Sequence, residues 1–256
     1  IDVVVLTEAA ICAGADALGQ RLLANVISPG AHDALEVLVA QGAASFGWFA
    51  YAPLSDTTFT PGLGGTLWVF GLGMTGFGTI MGKQRFPQQA MDWLKPDASE
   101  GTKAWVRGAI AASKAGLPSD IDNWGGFPAA RARFLKSAQA AGANLLVLCG
   151  DSHNAWAFDL GQDGKPAGVE FAGHSVTSPG YESATATDPK IVAAALIAAN
   201  PELKWCDTSR RGYMALTLTP ERASNDWVFM DTILTRSAAA SVGHSAVVQR
   251  GRNVMA

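Results

Sequence analysis

Residues Asn144 to Leu160 read NLLVLCGDSHNAWAFDL, and this stretch predicts the centre of the fold. It begins with an uninterrupted apolar run, Leu145 to Cys149, which is typical of a strand buried on both faces. Gly150 interrupts that run, and Asp151 and His153 follow at once. Because ligands of α/β sheets usually bind beyond the carboxyl ends of the strands, the sequence places a carboxylate and an imidazole where a site would form.

Two interpretations of Asp151 and His153 remain open from these residues alone. Carboxylate oxygens and imidazole nitrogens are common metal ligands, and residues two apart on an extended segment point to the same side. The pair would then be half of a metal site. Alternatively, the strand ends in a simple turn, and Asp151 caps a helix that starts near Asn154.

The composition indicates a chain with a substantial core. Its 256 residues are 48% hydrophobic and only 16% charged, and a chain of this length can form one large domain or two small ones. The net charge of −3 gives no basic patch for nucleic acid. The three cysteines, Cys12, Cys149 and Cys206, are too far apart for a CxxC metal motif and form no disulfide framework.

The uncharged stretch from Thr57 to Gly82 is long enough to raise the possibility of a membrane helix. Pro61 and eight glycines between Gly62 and Gly82 argue against one, so we expect no transmembrane segment. A buried strand at Thr66–Phe70 followed by a glycine-rich turn is the favoured interpretation. The GxGxxG match at Gly71–Gly76 is a weak dinucleotide signal, because no helix pattern follows it.

The remaining elements are predicted from periodicity, caps and turn residues. A helix begins at Pro128 and leads directly into the strand at Leu145, and the turn Gln162–Lys165 joins two strands. The other predicted elements are strands at Ile1–Leu6, from Arg211 to Pro220 and at Asp226–Leu234, and helices at Ala13–Ile27, Ala31–Ala44, Asp92–Ala115 and Ile191–Asn200. The small and polar tail, Ser237 to Ala256, is expected to pack loosely.

Four segments, taken together, carry a resemblance to a known family. They are DNWGGFPAARARFL (Asp122–Leu135), the Asn144–Leu160 stretch, GVEFAGHSVTSPGYE (Gly168–Glu182) and NPELKWCDTSRRGYMALTLTP (Asn200–Pro220). In this order and spacing they resemble the C-terminal part of PhoD-like alkaline phosphatases, in the calcineurin-like metallophosphatase group. The resemblance is best over residues 117–233.

The resemblance implies an α/β (α+β) fold in which two packed mixed β-sheets are flanked by helices, an αββα sandwich. It implies metal-assisted hydrolysis of a small phosphate ester, with iron and calcium as the metals and a periplasmic or secreted location. By position, Asp151 and His153 would be metal ligands and catalytic residues. Asn154 would contact substrate or water, and Trp124 would lie in the aromatic loop that lines the substrate.

The sequence also departs from the family pattern. Gly125 and Phe127 replace an Asp and a Tyr of the aromatic loop, and the upstream motifs Gly-Asp-x-x-Tyr and Asp-Asp-His-Glu are absent. The upstream candidates Asp2, Glu8, Asp16, His32, Asp33 and Asp56 lie in no recognisable ligand motif. The chain is therefore a fragment lacking the first half, a metal-free relative acting as a scaffold or binding protein, or a member with unrecognised ligands. Neither the oligomeric state nor a preference between monoesters and diesters is indicated.

Other candidate groups have simpler interpretations. His174 and Ser175 suggest a serine hydrolase, but a GxSxG elbow is missing, so loop roles are favoured for both. Cys149 lies inside the apolar strand, where a thiol is usually inert. Arg210 and Arg211 could bind a phosphate, and a structural ion pair at the start of a strand is the favoured alternative. His244 is expected on the surface.

Overall fold

The computed structural model describes residues 48–52, 66–71, 80–82, 85–120, 123–140, 142–219 and 221–256. The strand predicted at 1–6 and the helices predicted at 13–27 and 31–44 lie outside these ranges. Within them, no helix is both long enough and apolar enough to span a membrane.

A six-stranded mixed sheet carries the central stretch. Its strands are β1 (Trp48–Ala52), β2 (Thr66–Gly71), β3 (Leu146–Cys149), β4 (Ala155–Gln162), β5 (Lys165–Ala172) and β6 (Leu203–Asp207), in the order β1-β2-β3-β5-β4-β6. β3 runs parallel to both β2 and β5, and the predicted turn at Gln162–Lys165 joins β4 to β5 as an antiparallel hairpin. Because β3 lies between two neighbours and is covered on both faces, all four of its residues are buried, as the apolar run predicts.

Three α-helices accompany this sheet in the described part of the chain: α1 (Glu100–Lys114), α2 (Pro128–Ala140) and α3 (Pro189–Ala199). The single helix predicted over Asp92–Ala115 is wrong at its start, since a short 3-10 helix, Gln88–Trp93, comes first. Pro96 cannot donate inside a helix, and the Ser99 hydroxyl accepts the Thr102 amide at 3.1 Å, so α1 begins after this cap. Pro128 begins α2, as predicted.

The helices cover one face of the sheet and form the first core. Side chains alternate along β3, so that Val147 and Cys149 face the helices whereas Leu146 and Leu148 face the opposite side. Leu135 of α2 and Leu196 of α3 are completely buried in the helix-side core.

A second sheet packs on the opposite face. It is antiparallel, in the order β7-β8-β9, and its strands are β7 (Gly212–Leu218), β8 (Arg222–Met230) and β9 (Ala240–Gln249). Trp227 and Phe229 of β8 pack between the sheets with Phe171 of β5. The class predicted from the sequence, α+β with two packed sheets and flanking helices, is confirmed.

The loosely packed tail is a wrong prediction. β9 pairs with β8 along nearly its whole length, and His244 stacks on Trp205 with ring centroids 4.1 Å apart. His244 is therefore half-buried rather than on the surface. Its polar neighbours on β9 face solvent, so composition alone concealed an edge strand.

Candidate functional site

The candidate site is the turn Gly150–Asn154, hereafter the β3 turn. Cys149, the last residue of β3, is paired with Gly71 of β2 on one side and Ala172 of β5 on the other. Since these three strands are parallel, the β3 turn leaves the carboxyl edge of the sheet beside the loop Gly173–Gly180 that follows β5. The sequence prediction of this location is confirmed.

The conformation of the β3 turn is neither the extended segment nor the helix cap that the sequence suggested. Asp151 and His153 adopt left-handed backbone angles, with φ of 65° and 58°, so the segment is not extended. β4 begins at Ala155, so Asp151 does not cap a helix. Two non-glycine residues with positive φ within three positions are uncommon and accumulate strain, which the surrounding structure must hold in place.

His153 is an exposed side chain whose ring is oriented by one backbone group. Its Nδ1 lies 2.9 Å from the carbonyl oxygen of Pro179. Because a carbonyl only accepts, Nδ1 must carry the hydrogen in the neutral ring, and Nε2 then carries the lone pair. This is the arrangement of a metal-binding or proton-accepting imidazole.

Asn154 is completely buried, and its amide holds the β3 turn against the neighbouring loop. Its Oδ1 accepts the Tyr181 amide at 3.2 Å, and its Nδ2 donates to the Ser152 carbonyl at 2.5 Å. The Ser152 hydroxyl in turn accepts the indole N–H of Trp156 at 2.7 Å. The structure thus gives Asn154 a structural role, and its predicted contact with substrate stays a prediction.

Arg211, which is buried, forms an ion pair with the partly exposed Glu182 next to the β3 turn. Arg211 Nη2 donates to Glu182, and Arg211 Nη1 donates to the His153 carbonyl at 3.0 Å. Arg210 pairs with Asp207 at 2.7 Å. The structural ion pairs favoured from the sequence are therefore present for both arginines. The sequence analysis did not single out Glu182. Its position two residues after Pro179-Gly180 was the available signal.

Trp124 lies in a short 3-10 helix, Trp124–Gly126, immediately before α2. Its ring is buried and packs 5.8 Å from Phe134 of α2, and Asn123 fixes the turn by accepting the Gly125 amide at 2.8 Å. Trp124 is thus part of the helix-side core. Its predicted place in the substrate pocket stays a prediction.

A buried carboxylate that sequence reasoning also missed lies behind the β3 turn. Glu170 of β5 accepts the amides of Met81 and Gly82 at 2.7 and 2.8 Å and the Cys149 thiol at 3.1 Å. Burial raises the pKa of Glu170 from 4.5 to about 7, although these donors oppose the shift. Burial also raises the pKa of the Cys149 thiol, which makes the predicted inertness of this cysteine chemically sound.

The serine-hydrolase alternative has no support in the geometry. The Ser175 hydroxyl accepts the amides of Thr177 and Ser178 at 3.1 and 2.6 Å, which is a loop-stabilising turn. His174 is buried, its Nε2 lies 3.2 Å from the Val228 carbonyl, and burial lowers its pKa. The loop roles predicted for both residues are confirmed.

The donor chemistry of the β3 turn fits one side of a metal site. Asp151 is exposed, and the left-handed turn brings it out together with His153. Across the described residues, however, no group of three or more His, Cys, Asp or Glu side chains could hold a metal. The upstream candidates Asp2, Glu8, Asp16, His32, Asp33 and Asp56 lie outside the described residues.

The part of the chain that contains the β3 turn is similar to known phosphatases. A family model described as PhoD-like phosphatase matches residues 80–227. Alkaline phosphatase D of Bacillus subtilis is 33% identical over 138 residues, which make up 51% of this chain and 22% of that protein. A solved structure titled "Structure of PhoD" is 31% identical over 50% of this chain and 25% of its own, with a TM-score of 0.44.

A shorter stretch is similar to a different kind of protein. The probable cytochrome c oxidase subunit 1-alpha of Streptomyces coelicolor is 61% identical over 49 residues, 19% of this chain and 8% of that protein. The matches therefore span well under a third of these curated relatives, from 8% to 22% of their lengths.

Proposed function

This chain belongs to the PhoD-like phosphatase family, and we propose that the protein hydrolyses phosphate esters with a metal-activated water. The observation that carries the proposal is the β3 turn. It carries the exposed carboxylate of Asp151 two positions before His153, an exposed imidazole whose Nδ1 donates to the Pro179 carbonyl. A neutral imidazole held in this way offers Nε2 as a ligand.

The residues of the β3 turn would act by holding and orienting. Asp151 and His153 would be two of the protein ligands of the iron and calcium that the resemblance implies. When bound, such metals lower the pKa of a coordinated water and stabilise charge on phosphoryl oxygens. Asn154 would keep the turn in its left-handed form, and Trp124 would line the substrate side. No nucleophilic side chain is needed, so we expect no covalent intermediate.

The proposal extends to the setting of the reaction. The substrate would be a small phosphate ester, because the composition offers no basic patch for a nucleic acid. A periplasmic or secreted location is proposed from the family resemblance. We further propose that residues 1–256 form one domain of the metallophosphatase type.

A second candidate function rests on a specific observation. Among the residues that the structure describes, Asp151 and His153 are not part of any group of three or more His, Cys, Asp or Glu side chains that could hold a metal. A metal-free relative that keeps the fold as a scaffold or binding protein would have this feature.

The test compares two aspartates that share a backbone conformation. Asp151 and Asp163 both have positive φ, 65° and 53°, and both are exposed, but Asp163 lies in the β4–β5 hairpin. Asparagine tolerates left-handed angles, so Asp151→Asn and Asp163→Asn should both fold. We expect Asp151→Asn to lower the hydrolysis of p-nitrophenyl phosphate and its bis-ester about 100-fold or more, as loss of a catalytic metal ligand would. Asp163→Asn should match the unmodified protein.

Elemental analysis of the same samples separates the two candidates. Stoichiometric iron or calcium, reduced in Asp151→Asn and retained in Asp163→Asn, supports the hydrolase. Full activity in Asp151→Asn contradicts it. A protein that binds no metal and shows no rate above background with iron and calcium added is the metal-free relative.

A further inference from the structure

The β3 turn is held mainly by residues far from it in the sequence. His153 Nδ1 meets the Pro179 carbonyl at 2.9 Å, and Asn154 Oδ1 accepts the Tyr181 amide at 3.2 Å. These contacts tie it to the loop Pro179–Glu182, hereafter the PGYE loop. The orientation of His153 therefore depends on where the PGYE loop lies.

Arg211, which directly precedes β7, contacts both the β3 turn and the PGYE loop. Its side chain is 5% exposed, and its guanidinium donates to the His153 carbonyl at 3.0 Å and to the Glu182 carboxylate. The same carboxylate accepts the Gly180 amide at 3.2 and 3.1 Å. Since Gly180 directly follows Pro179, the ion pair fixes the peptide whose carbonyl meets His153 Nδ1.

The close packing at Gly180 shows how tightly these groups converge. A Cβ at this position would lie 2.4 Å from Asn154 Oδ1, 2.9 Å from Glu182 Oε2 and 3.0 Å from Arg211 Nη2. The backbone of Gly180 is extended, with φ of −97°, and so lies outside the left-handed region that favours glycine. Glycine is thus required for space, and the Pro179 carbonyl has little freedom to move away from His153.

We propose that Arg211, acting with Glu182, is a positioning residue that fixes the Nδ1–H tautomer and the orientation of His153. Arg211 donates to the backbone carbonyl of His153. Glu182 holds the peptide whose carbonyl accepts the hydrogen bond from His153 Nδ1. The lone pair of His153 is thereby kept on Nε2, the atom left for a metal or a proton. The consequence for catalysis rests on the proposed function, whereas the tautomer can be measured without it.

The matched variants are neighbouring arginines. Arg210 pairs with Asp207 at 2.7 Å and lies 3.7 Å over the Phe229 ring, so Arg210→Gln removes a structural ion pair without touching His153. Arg211→Gln removes the guanidinium that donates to both the His153 carbonyl and Glu182, and it leaves Glu182 without its cation. Arg211→Lys restores the charge on a compact ammonium group, which lacks the planar fork of the guanidinium.

The direct readout is the tautomer of His153, measured by nitrogen NMR on the labelled full chain in mildly alkaline buffer, where imidazoles are neutral. We expect the Nδ1–H form alone in the unmodified protein and in Arg210→Gln. Arg211→Gln should give a mixture of both tautomers, and Arg211→Lys should restore most of the Nδ1–H form. An Nε2–H ring in the unmodified protein, or an unchanged Nδ1–H ring in a folded Arg211→Gln, overturns the proposal.

Phosphate ester hydrolysis is the second readout. Loss of an outer-shell partner typically lowers metal affinity or activity about 10–100-fold, and we expect this for Arg211→Gln and little change for Arg210→Gln. A tautomer shift without activity in any sample supports the positioning role and contradicts the hydrolase. If Arg211→Gln fails to fold, Glu182→Gln, which retains an acceptor for the Gly180 amide, decides the question by the same spectrum: mixed tautomers support the role, and a pure Nδ1–H ring overturns it.

Discussion

Asn154 and Asn225 are the same residue type, and both are completely buried, yet their surroundings are opposite. In the β3 turn, the Asn154 amide accepts the Tyr181 amide and donates to the Ser152 carbonyl. Between the two sheets, neither amide atom of Asn225 has a hydrogen-bond partner among the described residues. The buried amide of Asn154 holds the geometry of the β3 turn, whereas the buried amide of Asn225 forms no hydrogen bond with any residue that the structure describes. The variants below test this contrast, from the largest expected effect to the smallest.

The same substitution, Asn→Val, should change the free energy of unfolding in opposite directions at the two sites. Asn154→Val leaves the Tyr181 amide and the Ser152 carbonyl without their partner. Each unsatisfied buried group costs about 1–3 kcal/mol, so we expect the free energy of unfolding to fall by roughly 2–5 kcal/mol. Urea denaturation measures the change. A loss below about 0.5 kcal/mol would show that the hydrogen bonds of the Asn154 amide contribute little to stability.

The second-largest effect on stability is expected at Glu170, whose carboxylate is hydrogen-bonded but whose charge is buried. Its pKa is raised from 4.5 to about 7 in the folded protein, mainly by burial, so the folded state binds its proton more tightly than the unfolded state. The stabilisation is then complete below about pH 4.5 and is lost as the pH rises through about 7. At about 1.36 kcal/mol per pKa unit, the total is roughly 3 kcal/mol.

Thermal unfolding of Glu170→Gln across this pH range tests the assignment. Glutamine imitates the protonated acid and cannot ionise, so the decline in stability between about pH 4.5 and 7 should become shallower. Glu100→Gln serves as the control, because Glu100 is an exposed carboxylate on α1 paired with Lys103 at 2.9 Å. A decline that persists unchanged in Glu170→Gln would assign the pH dependence to another group.

Asn225→Val should stabilise the protein. The substitution removes two buried polar atoms that have no hydrogen-bond partner in the described part of the chain. It adds a β-branched side chain to the interior of β8, where Trp227 and Phe229 face the same core. We expect a gain of about 1–2 kcal/mol in the free energy of unfolding, smaller in size than the loss at Asn154. A fall in the free energy of unfolding as large as that of Asn154→Val would contradict the proposed difference between the two asparagines.

The elements predicted well from the sequence are those specified by neighbouring residues. The apolar run of β3, the hairpin turn at Gln162–Lys165 and the proline that begins α2 each carry their own signal. The position of the β3 turn at the carboxyl edge followed from one such run. Capping by Ser99 was also visible locally, but the longer helical pattern around it concealed the true start of α1.

The predictions that failed depend on partners far along the chain. The apolar residues of the tail are mostly small, so they gave a weak strand signal, and β9 forms because β8 offers an edge. The expectation that Asp151 and His153 lie on an extended segment is wrong because the turn adopts left-handed angles that distant groups hold in place.

The sequence by itself determined that a carboxylate and an imidazole follow a buried strand, at the edge where parallel strands end. Only the tertiary structure decided which nitrogen of His153 is available. That choice depends on the Pro179 carbonyl, 26 positions away, and on Arg211, 58 positions away. Local patterns specify strands, turns and caps because their interactions lie within a few residues. The state of a side chain in a site is set by whichever groups the fold brings to it.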